Sequence, residues 1–134
     1  MPEPAADQTL LGFDVGTRRI GVALANTVTR MARPLAVIPA EPVAPRFAQI
    51  HALLTEWQAR TVVVGLALTA DGGEQPATGR CRRFADQLRG RFGVVVHLQD
   101  ERDSSLEAQA ILGRGGDDDA MAAAVILQRY LDAL

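Results

Sequence analysis

Leu10-Leu11-Gly12-Phe13-Asp14-Val15-Gly16-Thr17-Arg18-Arg19-Ile20-Gly21-Val22-Ala23-Leu24 is the stretch whose reading decides the fold. An apolar run carries one aspartate near its end, crosses a turn built on Gly16, and resumes as a second apolar run. The pattern predicts two strands, 9–15 and 20–26, joined as an antiparallel hairpin. An ionised carboxylate inside a buried strand costs several kcal/mol unless something compensates it. Asp14 is therefore expected at a sheet edge, presented to a metal ion or a phosphate. Further acids would have to reach the same edge.

Downstream of the hairpin, Leu35-Ala36-Val37-Ile38 reads as a short third strand that starts after Pro34. Phe47, Ile50, Leu54 and Trp57 recur at helical spacing and predict a helix over 43–59. Thr61-Val62-Val63-Val64-Gly65-Leu66 is β-branched and continuous, the pattern of a strand buried on both faces. A helix over 77–92 carries Cys81, Phe84, Leu88 and Phe92 on one stripe and stops at Gly93. Val94-Val95-Val96-His97-Leu98 reads as another buried strand, followed by a short helix over 106–112 and a last one over 120–131. The expected architecture is α/β with a five-stranded mixed sheet. Strands 1–3 form an antiparallel meander, strands 4 and 5 run parallel to strand 1, and helices cover both faces. Residues 1–8 read as a flexible tail and 9–134 as a single domain.

Composition narrows the functional classes. The 134 residues are 48% hydrophobic and 22% charged, ordinary for a globular protein with an adequate core. No apolar run approaches the roughly 18 residues needed to span a bilayer, and the acidic, proline-rich start is unlike a signal peptide. The expectation is a cytoplasmic protein that makes no membrane contact. One cysteine, Cys81, excludes an internal disulfide and a cysteine-based zinc site. Net charge is -2, and all 14 basic residues are arginine. That balance argues against a non-specific duplex binder but not against a metal nuclease, whose acids lower the net charge.

Three acids fall where the strand order brings chain ends together. Asp14 ends the first strand, Glu101 follows the last one, and Asp119 starts the final helix after Asp117 and Asp118. Ligands in such sheets bind outside the carboxyl ends of the parallel strands. Three carboxylates there would form an all-oxygen site suited to Mg²⁺ or Mn²⁺, with two ions able to act on a phosphodiester. Each acid also has a plain structural use. Asp14 can shape its turn, Glu101 can pair with an arginine, and Asp117, Asp118 and Asp119 suit a helix start.

The motifs become specific when taken together. Gly12-Phe13-Asp14-Val15-Gly16-Thr17-Arg18-Arg19-Ile20-Gly21-Val22-Ala23 resembles the opening motif of the YqgF-type pre-16S rRNA nucleases, also described as Holliday-junction-resolvase-like. Val63-Val64-Gly65-Leu66 with Asp71-Gly72 and Gln75 resembles the central motif of that family. Asp100-Glu101-Arg102 with Ser104, Ser105, Glu107 and Ala108 resembles the third, and Asp119-Ala120 with Ala122-Ala123 and the tail from Ile126 to Leu131 the fourth. The match runs in order over nearly the whole chain. It departs at Ala67, where the family commonly has proline, and at Gly113-Arg114-Gly115-Gly116-Asp117-Asp118, where a basic segment is usual.

The resemblance implies an RNase H-like fold and metal-dependent phosphodiester hydrolysis, with Asp14, Glu101 and Asp119 as the acidic triad. It implies phosphate contacts from Thr17 and Arg18 in the turn, and from Arg102 unless that residue pairs with an acid. Structured RNA, namely pre-rRNA, is the expected partner, with branched DNA as the alternative, acted on by a monomer or homodimer. A non-catalytic nucleic-acid-binding module is a further alternative. Asp14-Val15-Gly16-Thr17 also resembles the first phosphate loop of actin-like kinases and ATPases, but those clamp ATP between two related domains. Cys81, His51 and His97 are read as structural.

Overall fold

The computed structural model describes residues 8–102 and 118–134. Five strands, β1 (Thr9–Val15), β2 (Arg19–Asn26), β3 (Met31–Pro39), β4 (Thr61–Leu66) and β5 (Val95–Asp100), form one sheet in the order β3-β2-β1-β4-β5. β1 is antiparallel to β2, and β2 to β3, whereas β1, β4 and β5 are mutually parallel. The meander with two parallel additions is the predicted mixed sheet. Helices α1 (Val43–Trp57), α2 (Pro76–Phe92) and α3 (Asp118–Asp132) complete the described elements. The helix expected over 106–112 lies outside them.

The period-2 alternation of a strand decides which face each residue meets. Leu11 and Phe13 of β1, with Val62 and Val64 of β4, pack among Phe47, Ile50 and Leu54 of α1 and Phe84 and Leu88 of α2. Phe13 meets Phe84 edge to face, with ring centroids 5.5 Å apart. Leu10 and Val63 point the other way, into Ala123, Ile126, Leu127 and Leu131 of α3. Truncating a buried leucine such as Leu127 to alanine typically costs about 2–5 kcal/mol. Asp14 has the parity of Leu10 and Gly12, so its side chain belongs to the face that α3 covers.

Local chemistry sets the helix ends. Gln58 in the left-handed region (φ 51°) stops α1 one residue after Trp57, two short of the expected end. α2 starts where the Gln75 N–H donates to Thr78 Oγ1 at 3.0 Å, and Gly93 (φ 65°) ends it. The Thr78 hydroxyl donates in turn to the Ala67 carbonyl, tying the start of α2 to the end of β4.

Two expectations are corrected. β3 is nine residues long and contains Pro34, because an edge strand tolerates a residue with no N–H to donate. The strand absorbs the proline with a register shift: Val22 faces Ala36 and Ala23 faces Pro34, leaving Leu35 as the extra residue. β5 is not the second buried strand that its apolar run suggests. It lies at the other edge, with Val95 55% exposed and only Val96 buried, while β4 lies inside the sheet between β1 and β5.

Candidate active site

Asp14 is the penultimate residue of β1 and is paired across the hairpin with Gly21 of β2. Gly21 is also where α3 lands. A Cβ built there would fall 1.8 Å from the Asp119 carbonyl oxygen and 3.0 Å from the Ala120 nitrogen. Only glycine permits that approach, and it seats the first turn of α3 beside Asp14. Small residues on α3 complete the fit, with Ala123 and Ala124 buried against the sheet side.

Glu101 reaches the site from the other flank. β5 ends opposite Leu66, and the Glu101 N–H donates to the Leu66 carbonyl at 3.2 Å, one step past the strand. A Cβ on Gly65 would lie 2.7 Å from Ile126 Cδ1 and 3.1 Å from Glu101 Oε1, so the missing side chain makes room for the carboxylate over β4. Arg129 of α3 braces the same turn. Its Nη1 donates to the Arg102 carbonyl at 2.6 Å and to the Asp100 carbonyl at 3.4 Å, the two groups flanking Glu101.

Asp14 and Glu101 are hydrogen-bonded to each other, and burial opposes ionisation of both. Burial first, then the charge and hydrogen bond of Asp14, push Glu101 up to about 8. Burial also raises Asp14, and the charge of Asp119 adds to it, while the proton donated by Glu101 works against the rise. The pair therefore shares a proton near neutrality, held on Glu101. Below it, Cys81 Sγ lies 3.6 Å from Glu101 Oε1, and burial pushes the thiol up to about 11. Cys81 is buried as expected, but it also lines the floor of the acidic site.

Asp119, the third acid, is close enough to act on Asp14 through its charge, yet its own carboxylate is bonded elsewhere. Arg19 Nε lies 2.8 Å from Asp119 Oδ2. Among the described residues, no three of His, Cys, Asp and Glu are gathered closely enough to hold a metal ion. The structure brings together Asp14 and Glu101 and sets Asp119 next to them, turned toward the arginine. Asp117 lies outside the described residues.

Thr17 and Arg18 are exposed in the β1–β2 turn, which the Gly16 N–H closes on the Arg19 carbonyl at 2.9 Å. Arg102 takes the pairing alternative. Its Nη2 lies 2.6 Å from Asp100 Oδ2 and its Nη1 donates to the Ala70 carbonyl at 3.0 Å. That pairing holds the Asp100 carboxyl below its usual range. Both histidines stack on aromatic rings, His97 on Tyr130 and His51 on Phe92. A cavity of about 820 Å³ lined by His51, Arg60, Arg91 and Phe92 opens near the start of β4, away from the acids, and no carboxylate lines it.

The arrangement is an acidic edge on a hairpin-led mixed sheet. A family model described as "RuvX: Holliday junction resolvase" matches residues 8–133. The chain belongs to the RuvX family. Curated relatives carry the name "Putative pre-16S rRNA nuclease". The one from Bordetella petrii is 63% identical over 134 residues, covering 100% of this chain and 99% of the relative. The one from Yersinia pestis (strain Pestoides F) is 48% identical over 135 residues, covering 95% and 96%. The chain shares its fold with solved Holliday junction resolvases. Thermus thermophilus RuvC in complex with a Holliday junction substrate aligns with a TM-score of 0.57 at 19% identity, covering 94% of each chain. The fowlpox virus resolvase with Holliday junction DNA aligns at 0.60 and 12% identity, covering 94% and 98%.

Sequence reasoning missed three parts of this RuvX-family site: the Arg19–Asp119 pair, the thiol beneath Glu101, and the brace from Arg129. The glycines were a usable signal. Gly21 and Gly65 sit inside otherwise β-branched or apolar strands, where a glycine marks a close approach by another group.

Proposed function

We propose that this chain is a divalent-metal-dependent nuclease that hydrolyses phosphodiester bonds in pre-16S ribosomal RNA, in the cytoplasm, as a single domain over residues 9–134. One observation carries the reading. Two half-buried carboxylates face each other at the carboxyl edge of β1 and β5, with Asp119 seated beside them, and ionising both is electrostatically opposed. Without a cation the pair must keep a proton to avoid facing charges, a cost that a purely structural use of Asp14 and Glu101 gives no reason to retain. A hard cation removes it. The donor set fits Mg²⁺ or Mn²⁺, the three acids offering only carboxylate oxygen.

In this reading Asp14, Glu101 and Asp119 hold the metal, and a bound pair of ions would activate a water and stabilise the leaving oxygen. The chain supplies the rest. Thr17 and Arg18, exposed in the turn next to Asp14, offer a hydroxyl and a guanidinium to the flanking phosphates. Arg102 and Arg129 hold the turn that carries Glu101 at fixed height over β4. Gly21 and Gly65 set the spacing. The pre-16S substrate follows the names of the 48–63% identical relatives. Branched DNA is the second reading, favoured by the description of the matching family and by the junction complexes of the fold neighbours.

A cleavage panel of pre-16S fragments, single strands and four-way junctions, run with Mn²⁺ and with Mg²⁺, separates the two. The expected outcome is metal-dependent cutting of the rRNA fragment, abolished in Asp14→Asn with its circular dichroism spectrum unchanged. Undiminished cleavage by Asp14→Asn would refute the assignment, and exclusive cutting of junctions would select the DNA reading.

A further inference from the structure

The acids of the site are divided two and one, and an arginine divides them. Asp14 and Glu101 bond to each other, while Asp119 bonds to Arg19 at 2.8 Å. Both backbones behind that ion pair are fixed. The Arg19 carbonyl accepts the Gly16 N–H at 2.9 Å, and Arg19 pairs across the sheet with Pro39. The Asp119 backbone rests on Gly21 with no room for a methyl group. What remains adjustable is the side-chain pair itself. The Arg19 side chain is 64% exposed and that of Asp119 34%, so water and ions reach both. An ion pair this exposed holds weakly.

A cation bound beside Asp14 and Asp119 would neutralise the carboxylate charge that holds Arg19. The two cations therefore compete for it. Once displaced, the guanidinium stands at the start of β2, one residue from Arg18 and two from Thr17, on the solvent side of the site. A guanidinium suits a phosphate better than a point charge does, because its fork can bond two oxygens at once.

We propose that Arg19 is the resident counter-ion of Asp119, displaced by a divalent cation and thereby freed to grip a phosphate of the nucleic acid. The proposal rests on the metal-dependent reading above and adds a coupling to it: ion loading exposes the phosphate grip. Because linkage is reciprocal, nucleic acid that engages Arg19 also tightens ion binding. An ion-free site keeps its arginine occupied, so the polyanion is held best where hydrolysis is possible.

Arg19→Gln separates the two roles because they change in opposite directions. Calorimetric titration with Mn²⁺ alone should show tighter binding than wild type, by about two- to fivefold for the loss of an exposed competing pair. Fluorescence anisotropy of a labelled pre-16S fragment in Ca²⁺ should show weaker binding, and adding Ca²⁺ should strengthen it less than in wild type. Arg19→Lys should fall between. A thermal melt confirms that the exposed substitution leaves the fold in place, and a merely structural role would weaken both ligands together. Unchanged or weaker Mn²⁺ binding in Arg19→Gln, or unchanged RNA binding, overturns the proposal while Asp14-dependent Mn²⁺ binding by wild type keeps the nuclease reading. Mn²⁺ binding that is absent from wild type, or identical in Asp14→Asn, overturns both.

Discussion

Raising the pH of the metal-free protein should remove stability, and the size of the loss can be worked from Glu101. Its proton is held to about 8 in the folded chain against an ordinary 4.5, chiefly because burial opposes the charge and Asp14 repels it. Between those values the folded state binds a proton that the unfolded chain has released. Stability is then highest below the ordinary value and falls as pH rises toward 8. Each tenfold change in proton affinity is worth about 1.4 kcal/mol, so the ceiling on the loss is roughly 5 kcal/mol. Asp14 is raised as well and adds in the same direction. Because the two acids share one proton, the observed loss should be a few kcal/mol. Asp71 and Asp100 are shifted the other way, so their contribution is complete above the ordinary aspartate range and does not vary in this window. Urea denaturation in EDTA at about pH 5 and about pH 8.5 measures the difference. Glu101→Gln should flatten it, and saturating Mg²⁺ or Mn²⁺ should restore stability at the alkaline end. A wild-type stability that is flat or rising across the window, or a slope unchanged in Glu101→Gln, would refute the reasoning.

Two more outcomes follow from the packing around the acids. Gly21→Ala places a methyl group where the Asp119 carbonyl oxygen stands, so α3 must shift away from Asp14. We expect a loss of about 1–3 kcal/mol in urea denaturation, as for an overpacked core, together with weaker Mn²⁺ binding by calorimetry. Stability equal to wild type would show that α3 does not bear on Gly21. Arg129→Ala removes the donors that hold the carbonyls on both sides of Glu101. Its cleavage should show a reduced kcat with KM little changed, partly recovered in Arg129→Lys, and a fall in KM-controlled binding alone would contradict a positioning role.

How far the sequence disclosed this arrangement depends on the range of the interaction involved. Asp14 was legible because its environment is local: a strand, one acid, a glycine turn and a returning strand. Glu101 was legible through topology, since strand order alone brings the ends of β1 and β5 to one edge, and Asp119 through the small residues after it, which let its helix lie close to the sheet. The apolar runs of β4 and β5 could not be ranked by the same means. Both are valine-rich, and only the pairing of β4 with β1 as well as β5 makes it the interior one and leaves Val95 exposed at the edge. Pro34 misled for a related reason. It ends a strand in a sheet interior, but β3 is an edge, and Leu35 absorbs the irregularity.

The Arg19–Asp119 pair was out of reach in a stricter sense. The two residues are joined only by tertiary packing, and Arg19 read from sequence is one of fourteen arginines. What exposes the contact is the seat that Gly21 makes for α3, which sets Asp119 against the start of β2 at the same time as it sets it beside Asp14. One glycine therefore governs both the approach of the third acid to the first and its capture by the arginine. In the proposed exchange the Asp119 backbone is already in place, so side chains are what must move. In the proposal above, that division, with a rigid frame and one exchangeable carboxylate, would let a weak, exposed ion pair control access to a half-buried acidic site.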